Sequence, residues 1–177
     1  MIKALYYHPK KGIKRVHYEY LSFAISDGFP GNGVMAAKPS PDQRKRIRVV
    51  LAKSDMDAHD RGLRYLAKVL RDQGMEVIFT RYRIVDEVVI IAHEEDADVI
   101  GLSFYGSGLM YDTLRALDLL REKQMTDVLV ILGGTIPEDA AAELKTRGVK
   151  GVFTPGTPIE DVIAFIKENS RCKTRKP

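Results

Sequence analysis

The sequence predicts a doubly wound α/β fold: five parallel strands in the order 2-1-3-4-5, helices on both faces, and an N-terminal arm in front. Two observations carry this reading. From residue 47 onward, short apolar runs rich in β-branched residues alternate five times with segments of helical apolar spacing. Strands buried on both faces read as such continuous runs, and strand–helix alternation implies a parallel sheet covered by helices. Right-handed crossovers leave few topologies, and the flavodoxin-like (Rossmann-like) order is the one adopted.

The elements follow in order. Ile47–Ala52 reads as the first buried strand. The helix over 60–73 has apolar residues at 63, 66, 67 and 70 and ends at Gly74. Met75–Thr80 is strand two, and residues 84–95 form helix two, with Val85, Val88, Val89 and Ala92 on one face. Val99–Ser103 is strand three, and the helix over 109–124 turns Leu114, Leu117 and Leu120 inward. Val128–Leu132 is strand four, followed by a helix over 138–147 between Pro137 and Gly148. Gly151–Phe153 is the short fifth strand, and the helix over 158–169 carries Ile159, Val162, Ile163 and Ile166.

The organisation is an arm over 1–46, a folded domain over 47–170 and a basic tail over 171–177. The arm holds turn and linker signals at Pro30-Gly31-Asn32-Gly33 and Pro39-Ser40-Pro41. It also holds Tyr6, Tyr7, Tyr18, Tyr20, Phe23 and Phe29, too many aromatics for a solvated linker. Such an arm packs on something, either its own domain or a partner.

The 177 residues are 45% hydrophobic, enough for one sizeable core. No apolar run is long enough to span a membrane, and the first residues lack the apolar stretch of a signal peptide. Cys172 is the single cysteine, so internal disulfides are excluded and a cytoplasmic setting is expected. The net charge of +4 owes much to basic clusters near the two ends. These are solvated ends or contacts to phosphates of a nucleic acid or of coenzyme A. No basic face interleaved with aromatics occurs in the folded region, so nucleic-acid binding is not expected.

Open α/β sheets bind ligands beyond the carboxyl ends of their strands, at the topological switch point. The loops there are unusual. Lys53 to Gly62 follow strand one, and Ser103-Phe104-Tyr105-Gly106-Ser107-Gly108 follow strand three. Gly133-Gly134-Thr135 and Thr154-Pro155-Gly156-Thr157 follow strands four and five. Small and hydroxyl residues let backbone approach a ligand and supply hydrogen bonds. Four such loops on one edge suit a large, extended ligand.

The first of these loops adds chemistry. His59 stands two residues after Asp57, within reach of Lys53. A metal-ligating imidazole usually donates its second N–H to a carboxylate, which fixes the tautomer and raises basicity. The alternative is that Asp57 and Asp60 cap a helix and His59 is an ordinary loop histidine. A dinucleotide fingerprint and a P-loop are both absent. A zinc site would need more ligands than His59 supplies, and nothing groups His8, His17 or His93 with it. A phospho-receiver reading lacks the lysine after strand five.

These motifs together resemble the cobalamin-binding domain of methylmalonyl-CoA mutase-type enzymes, including the separate small subunits of such mutases. The resemblance covers residues 46–169. Its D-x-H-x-x-G motif falls on Asp57-Ala58-His59-Asp60-Arg61-Gly62 and its S-x-L motif on Ser103-Phe104-Tyr105. Its G-G motif falls on Gly133-Gly134, and the last strand and loop on Gly151 to Thr157, including Phe153 and Pro155. The third position of S-x-L is Tyr105 rather than leucine. The resemblance implies cobalamin bound with its benzimidazole tail off the cobalt and buried in the domain, and His59 as the lower cobalt ligand. It implies an Asp57 and Lys53 relay behind His59, Ser103 against the benzimidazole, and Gly133, Gly134, Gly156 and Thr157 along the tail. Gly106 and Gly108 complete the expected contacts.

The expected function is therefore that of the cofactor-carrying subunit of an adenosylcobalamin-dependent acyl-CoA mutase. It would be inactive without a large barrel subunit that holds the acyl-CoA. The alternatives are a corrinoid shuttle of a methyltransferase system and a non-catalytic cobalamin-binding module. The arm is expected to dock on the large subunit.

Overall fold

A computed structural model describes the backbone of strands 2–8 and 12–18, and residues 46–171 in full. The elements are β1 (Ile2–His8), β2 (Gly12–Tyr18), β3 (Arg48–Ser54), α1 (Arg61–Asp72), β4 (Glu76–Tyr82) and α2 (Asp86–Glu94). β5 (Val99–Phe104), α3 (Leu109–Glu122), β6 (Leu129–Gly134), α4 (Glu138–Arg147), β7 (Gly151–Phe153) and α5 (Ile159–Asn169) follow.

The sheet order is β2-β1-β4-β3-β5-β6-β7. Its five parallel strands β4-β3-β5-β6-β7 have the expected order 2-1-3-4-5. Two strands come in addition. β1 and β2 form an antiparallel hairpin, and β1 joins β4 in parallel through Lys3↔Ile78 and Ala4↔Phe79. The first part of the arm thus adds to the sheet of its own chain. The rest of the arm, over 19–45, and the tail beyond 171 lie outside the described residues.

Alternation along each strand divides the core. Val49, Leu51, Val77, Val99, Leu129 and Ile131 face α1 and α5, meeting Leu63, Leu70, Val162 and Ile166. Val50, Ala52, Ile78, Ile100, Leu102 and Val130 face the other way, toward α2, α3 and α4. Leu114 of α3 is only partly buried, whereas Leu117 and Leu120 are buried as expected.

The strands run further toward their carboxyl ends than the sequence suggests. Lys53 and Ser54 continue β3, Phe104 continues β5, and Gly133 and Gly134 continue β6. The ladder explains this: Lys53 pairs with Ser103, Ser103 with Gly133 and Phe104 with Gly134. Polar and glycine residues that read as loop are held in strand by their neighbours. The chain turns from β3 to β4 on one side and returns past β3 to β5. The switch point therefore lies between the loops after β3 and β5.

Candidate functional site

Lys53 and Ser103 stand side by side at this switch point. Lys53 is completely buried, a costly place for an ammonium unless it is paired. Its Nζ lies 3.3 Å from Asp57 Oδ1. The contact is an ion pair without hydrogen-bond alignment.

The loop after β3 folds around that carboxylate. The Asp57 amide donates to the Ser54 carbonyl at 3.2 Å, turning the chain. Asp57 Oδ1 then accepts the His59 amide at 2.8 Å and lies 3.1 Å from His59 Nδ1. An aspartate that bonds the backbone two residues ahead is a local turn former. Here the same oxygen also meets the imidazole and the lysine. Burial pushes the Asp57 carboxyl up, but the His59 amide, the imidazole and the Lys53 ammonium outweigh it. The net shift is below the ordinary value of 3.8. A carboxylate at Nδ1 places the proton there and leaves the lone pair on Nε2. The His59 side chain is 59% exposed and lies on the cleft wall. The His59 ring also stacks on Tyr105, with centroids 3.6 Å apart and planes 23° from parallel.

The capping alternative is not what forms. Asp60 occupies the N-cap position of α1 without a side-chain cap bond. Its Oδ2 instead accepts Arg64 Nε at 2.6 Å and an Arg81 guanidinium N–H at 2.9 Å. The Arg64 hydrogen bond, with help from Arg81, holds the Asp60 carboxyl below its ordinary range.

His59 stands at a cleft of about 600 Å³ lined by the loops after β3, β5, β6 and β7 and by α1 and α5. This volume is typical of a small-molecule site. Ala58, Asp60, Arg61, Gly62, Ser103, Tyr105, Gly133, Gly134, Phe153, Pro155, Gly156 and Thr157 line it with His59. Asp57 is not on the wall but stands behind His59. Gly106 and Gly108, expected as cofactor contacts, also lie off the wall. Gly108 has a backbone reason of its own: φ +87° at the start of α3, where an added Cβ would come 2.7 Å from Asp112 Oδ2.

The glycine pair divides its work. Gly134 has φ +119°, and a Cβ there would fall 1.8 Å from the Phe104 carbonyl oxygen. A Cβ on Gly133 would meet only the Phe153 carbonyl oxygen, at an ordinary 3.8 Å. Gly134 is therefore fixed by the sheet, while Gly133 keeps the wall low. After β7, the Thr157 hydroxyl and amide both return to the Thr154 carbonyl, at 2.8 and 3.1 Å, closing the turn into α5.

Sequence reasoning missed the inner walls. Leu63, Leu66, Ile131, Ile159 and Val162 line the cleft although they read as core. Gly101 lies at its floor, where a Cβ would come 2.7 Å from Leu51 Cδ2 and 3.6 Å from Ile131 Cγ1. The available signal was a lone glycine inside a strand, which marks a close approach.

Fold and site together define a doubly wound ligand-binding domain with a carboxylate-backed histidine beside a narrow slot. A family profile described as "B12 binding domain" matches residues 47–164. The 2-hydroxyisobutanoyl-CoA mutase small subunit of Aquincola tertiaricarbonis is 39% identical over 122 residues, 68% of this chain and 90% of its own length. The pivalyl-CoA mutase small subunit of Xanthobacter autotrophicus is 40% identical over 124 residues, 68% of this chain and 81% of its own. Among solved structures, a cobalamin-binding protein from Desulfitobacterium hafniense superposes with a TM-score of 0.58 at 23% identity, covering 70% of this chain and 59% of that one. A Francisella receiver domain gives 0.56 at 16%, covering 74% and 100%. Both superpositions speak for the fold alone. The chain belongs to the B12-binding domain family and matches small subunits of acyl-CoA mutases.

Proposed function

We propose that this chain binds cobalamin, with His59 Nε2 as the lower cobalt ligand and the nucleotide tail in the cleft. In this reading it is the cofactor-carrying subunit of an adenosylcobalamin-dependent acyl-CoA mutase. The observation that carries it is the His59 imidazole, held at Nδ1 by Asp57 beside a glycine-walled cleft.

The donor set fits. One imidazole is a weak hold on a bare ion, so the metal must bring most of its own ligands, as a macrocycle does. The slot fits too. Gly101 and Gly133 keep its walls low, and Leu63, Ile131 and Val162 give an apolar interior to a flat heteroaromatic group.

Adenosylcobalamin supplies a homolytically cleavable cobalt–carbon bond, the hard chemistry of such a reaction. This chain's residues bind, orient and tune. Asp57 fixes the tautomer of His59, and the His59 amide and imidazole together with the buried Lys53 ammonium keep Asp57 ionised. Ser103 and the glycines admit the tail, and the turn from Thr154 to Thr157 closes its far end.

Acyl-CoA binding and the rearrangement belong to a large partner subunit in this proposal. The two relatives named as small subunits support it. So does the carboxyl edge, where Met56, Ile84, Tyr105 and Tyr111 are exposed. Such apolar groups around one site suit a covering partner.

The test mixes the protein with hydroxocobalamin or adenosylcobalamin, removes free cofactor by gel filtration and records the visible spectrum. Wild type is expected to retain cobalamin with the tail displaced, and His59→Ala to lose it or show an altered lower ligand. Wild type that retains no cobalamin, alone and with its large subunit, would overturn the reading.

A further inference from the structure

His59 sits on an irregular stretch between β3 and α1, with its side chain mostly in solvent. The hydrogen bond at Nδ1 fixes one ring atom but leaves the ring free to swing about that contact. A second contact, to the ring plane, comes from Tyr105, on the loop after β5. Tyr105 is 57% exposed, so burial in the core does not explain its place. Its partner is the imidazole, at a centroid distance of 3.6 Å.

We propose that Tyr105 is a positioning residue for His59, stacking on the imidazole to fix its plane in the free protein, before any cofactor is bound. The inference rests on the cobalamin reading for its purpose, since a preset plane matters only if Nε2 must meet a metal. Asp57 sets which nitrogen is free, and Tyr105 sets where that nitrogen points. The two loops are already joined below, where Lys53 pairs with Ser103 in the sheet. The stack joins them again above, across the mouth of the cleft.

An aliphatic residue at position 105 would touch the ring without the preferred geometry of two aromatic faces. Aromatic pairs contribute beyond their buried area. Losing that contribution corresponds to a change of about 2- to 10-fold in an equilibrium constant. A ligand whose binding needs the preset ring would weaken by that factor.

The experiment uses the full chain as wild type, Tyr105→Leu and Tyr105→Phe. Without cofactor, NMR of the imidazole C–H protons reads the stack directly, because an aromatic face shifts them upfield. The upfield shift is expected in wild type and Tyr105→Phe and lost in Tyr105→Leu. Titration with hydroxocobalamin should then give about 2- to 10-fold weaker binding for Tyr105→Leu. Tyr105→Phe should stay close to wild type, because the ring and not the hydroxyl does the positioning. Equal shifts in all three proteins would overturn the stack. A lost shift with unchanged cobalamin binding would overturn its positioning role. Wild type that binds no cobalamin would overturn the functional reading and the purpose assigned here, while the proton shifts would still report the stack itself.

Discussion

One oxygen, Asp57 Oδ1, gathers the His59 amide, the His59 imidazole and the Lys53 ammonium. The pH dependence of the site follows from it. The folded-state pKa of Asp57 is lowered, so its contribution to stability stands in full above the ordinary value of 3.8. It is lost as pH falls through the lower folded value. A carboxyl-carbon NMR titration should place the Asp57 midpoint below 3.8, and a midpoint above it would show that burial dominates instead. At this scale the sequence was informative where chemistry is local. Asp57, His59 and Lys53 lie within seven residues of one another, and their spacing alone put them in reach. Tyr105 was legible only as a departure from a motif. Its partner is 46 positions away, and no local spacing announces a contact between two loops. Gly106 and Gly108 were legible as glycines of a loop at the site, but not in their part there. A glycine can serve a ligand or a backbone turn, and the sequence does not say which.

The five strand–helix units were readable because apolar periodicity is a property of single elements. Their carboxyl ends were not, because Lys53, Gly133 and Gly134 are held in strand by pairing with neighbours far along the chain. The first hairpin also escaped. The aromatic residues of the arm suggested packing, yet aromatic and β-branched residues are equally a strand signature. The turn and linker signals at Pro30 to Gly33 and Pro39 to Pro41 favoured the reading as an arm. The glycine pair at the end of β6 offers a test of element against site. Gly134→Ala is expected to cost on the order of 2–4 kcal/mol, from strained backbone and a clash with the Phe104 carbonyl. Gly133→Ala should leave the fold nearly unchanged. Urea unfolding of both variants checks this, and equal midpoints would show that the sheet adapts.

For the whole molecule, the amino and carboxyl edges of the sheet have different work. At the amino edge, the Arg171 guanidinium pairs with Asp96, Asp98 and Asp127, the Arg48 guanidinium pairs with Glu76, and the Arg48 amide donates to Asp98. These contacts close the domain. The carboxyl edge keeps its cleft and apolar side chains open. The doubly wound part of the fold could be read from the sequence because its five parallel strands follow from repeated local units. The inner cleft could not, because its walls are the same leucines and valines that fill a core. The arm now has two possible duties. Its first strand pairs with β4, and the proposed assembly gives it a second role against the large subunit. Deleting residues 1–40 is expected to weaken co-purification with that subunit. Unchanged assembly would confine the arm to its own sheet.

The spacing of slot and imidazole has a consequence for how tightly a ligand is kept. A molecule that fills the cleft and also meets His59 is tethered at two points. Once one end is seated, the other searches only a small volume, and its effective concentration is far above that in solution. Each hold can then be weak and each contact quick to break, while the pair releases its ligand slowly. Under the proposed function, a corrinoid without a nucleotide tail would forfeit this advantage even with His59 intact.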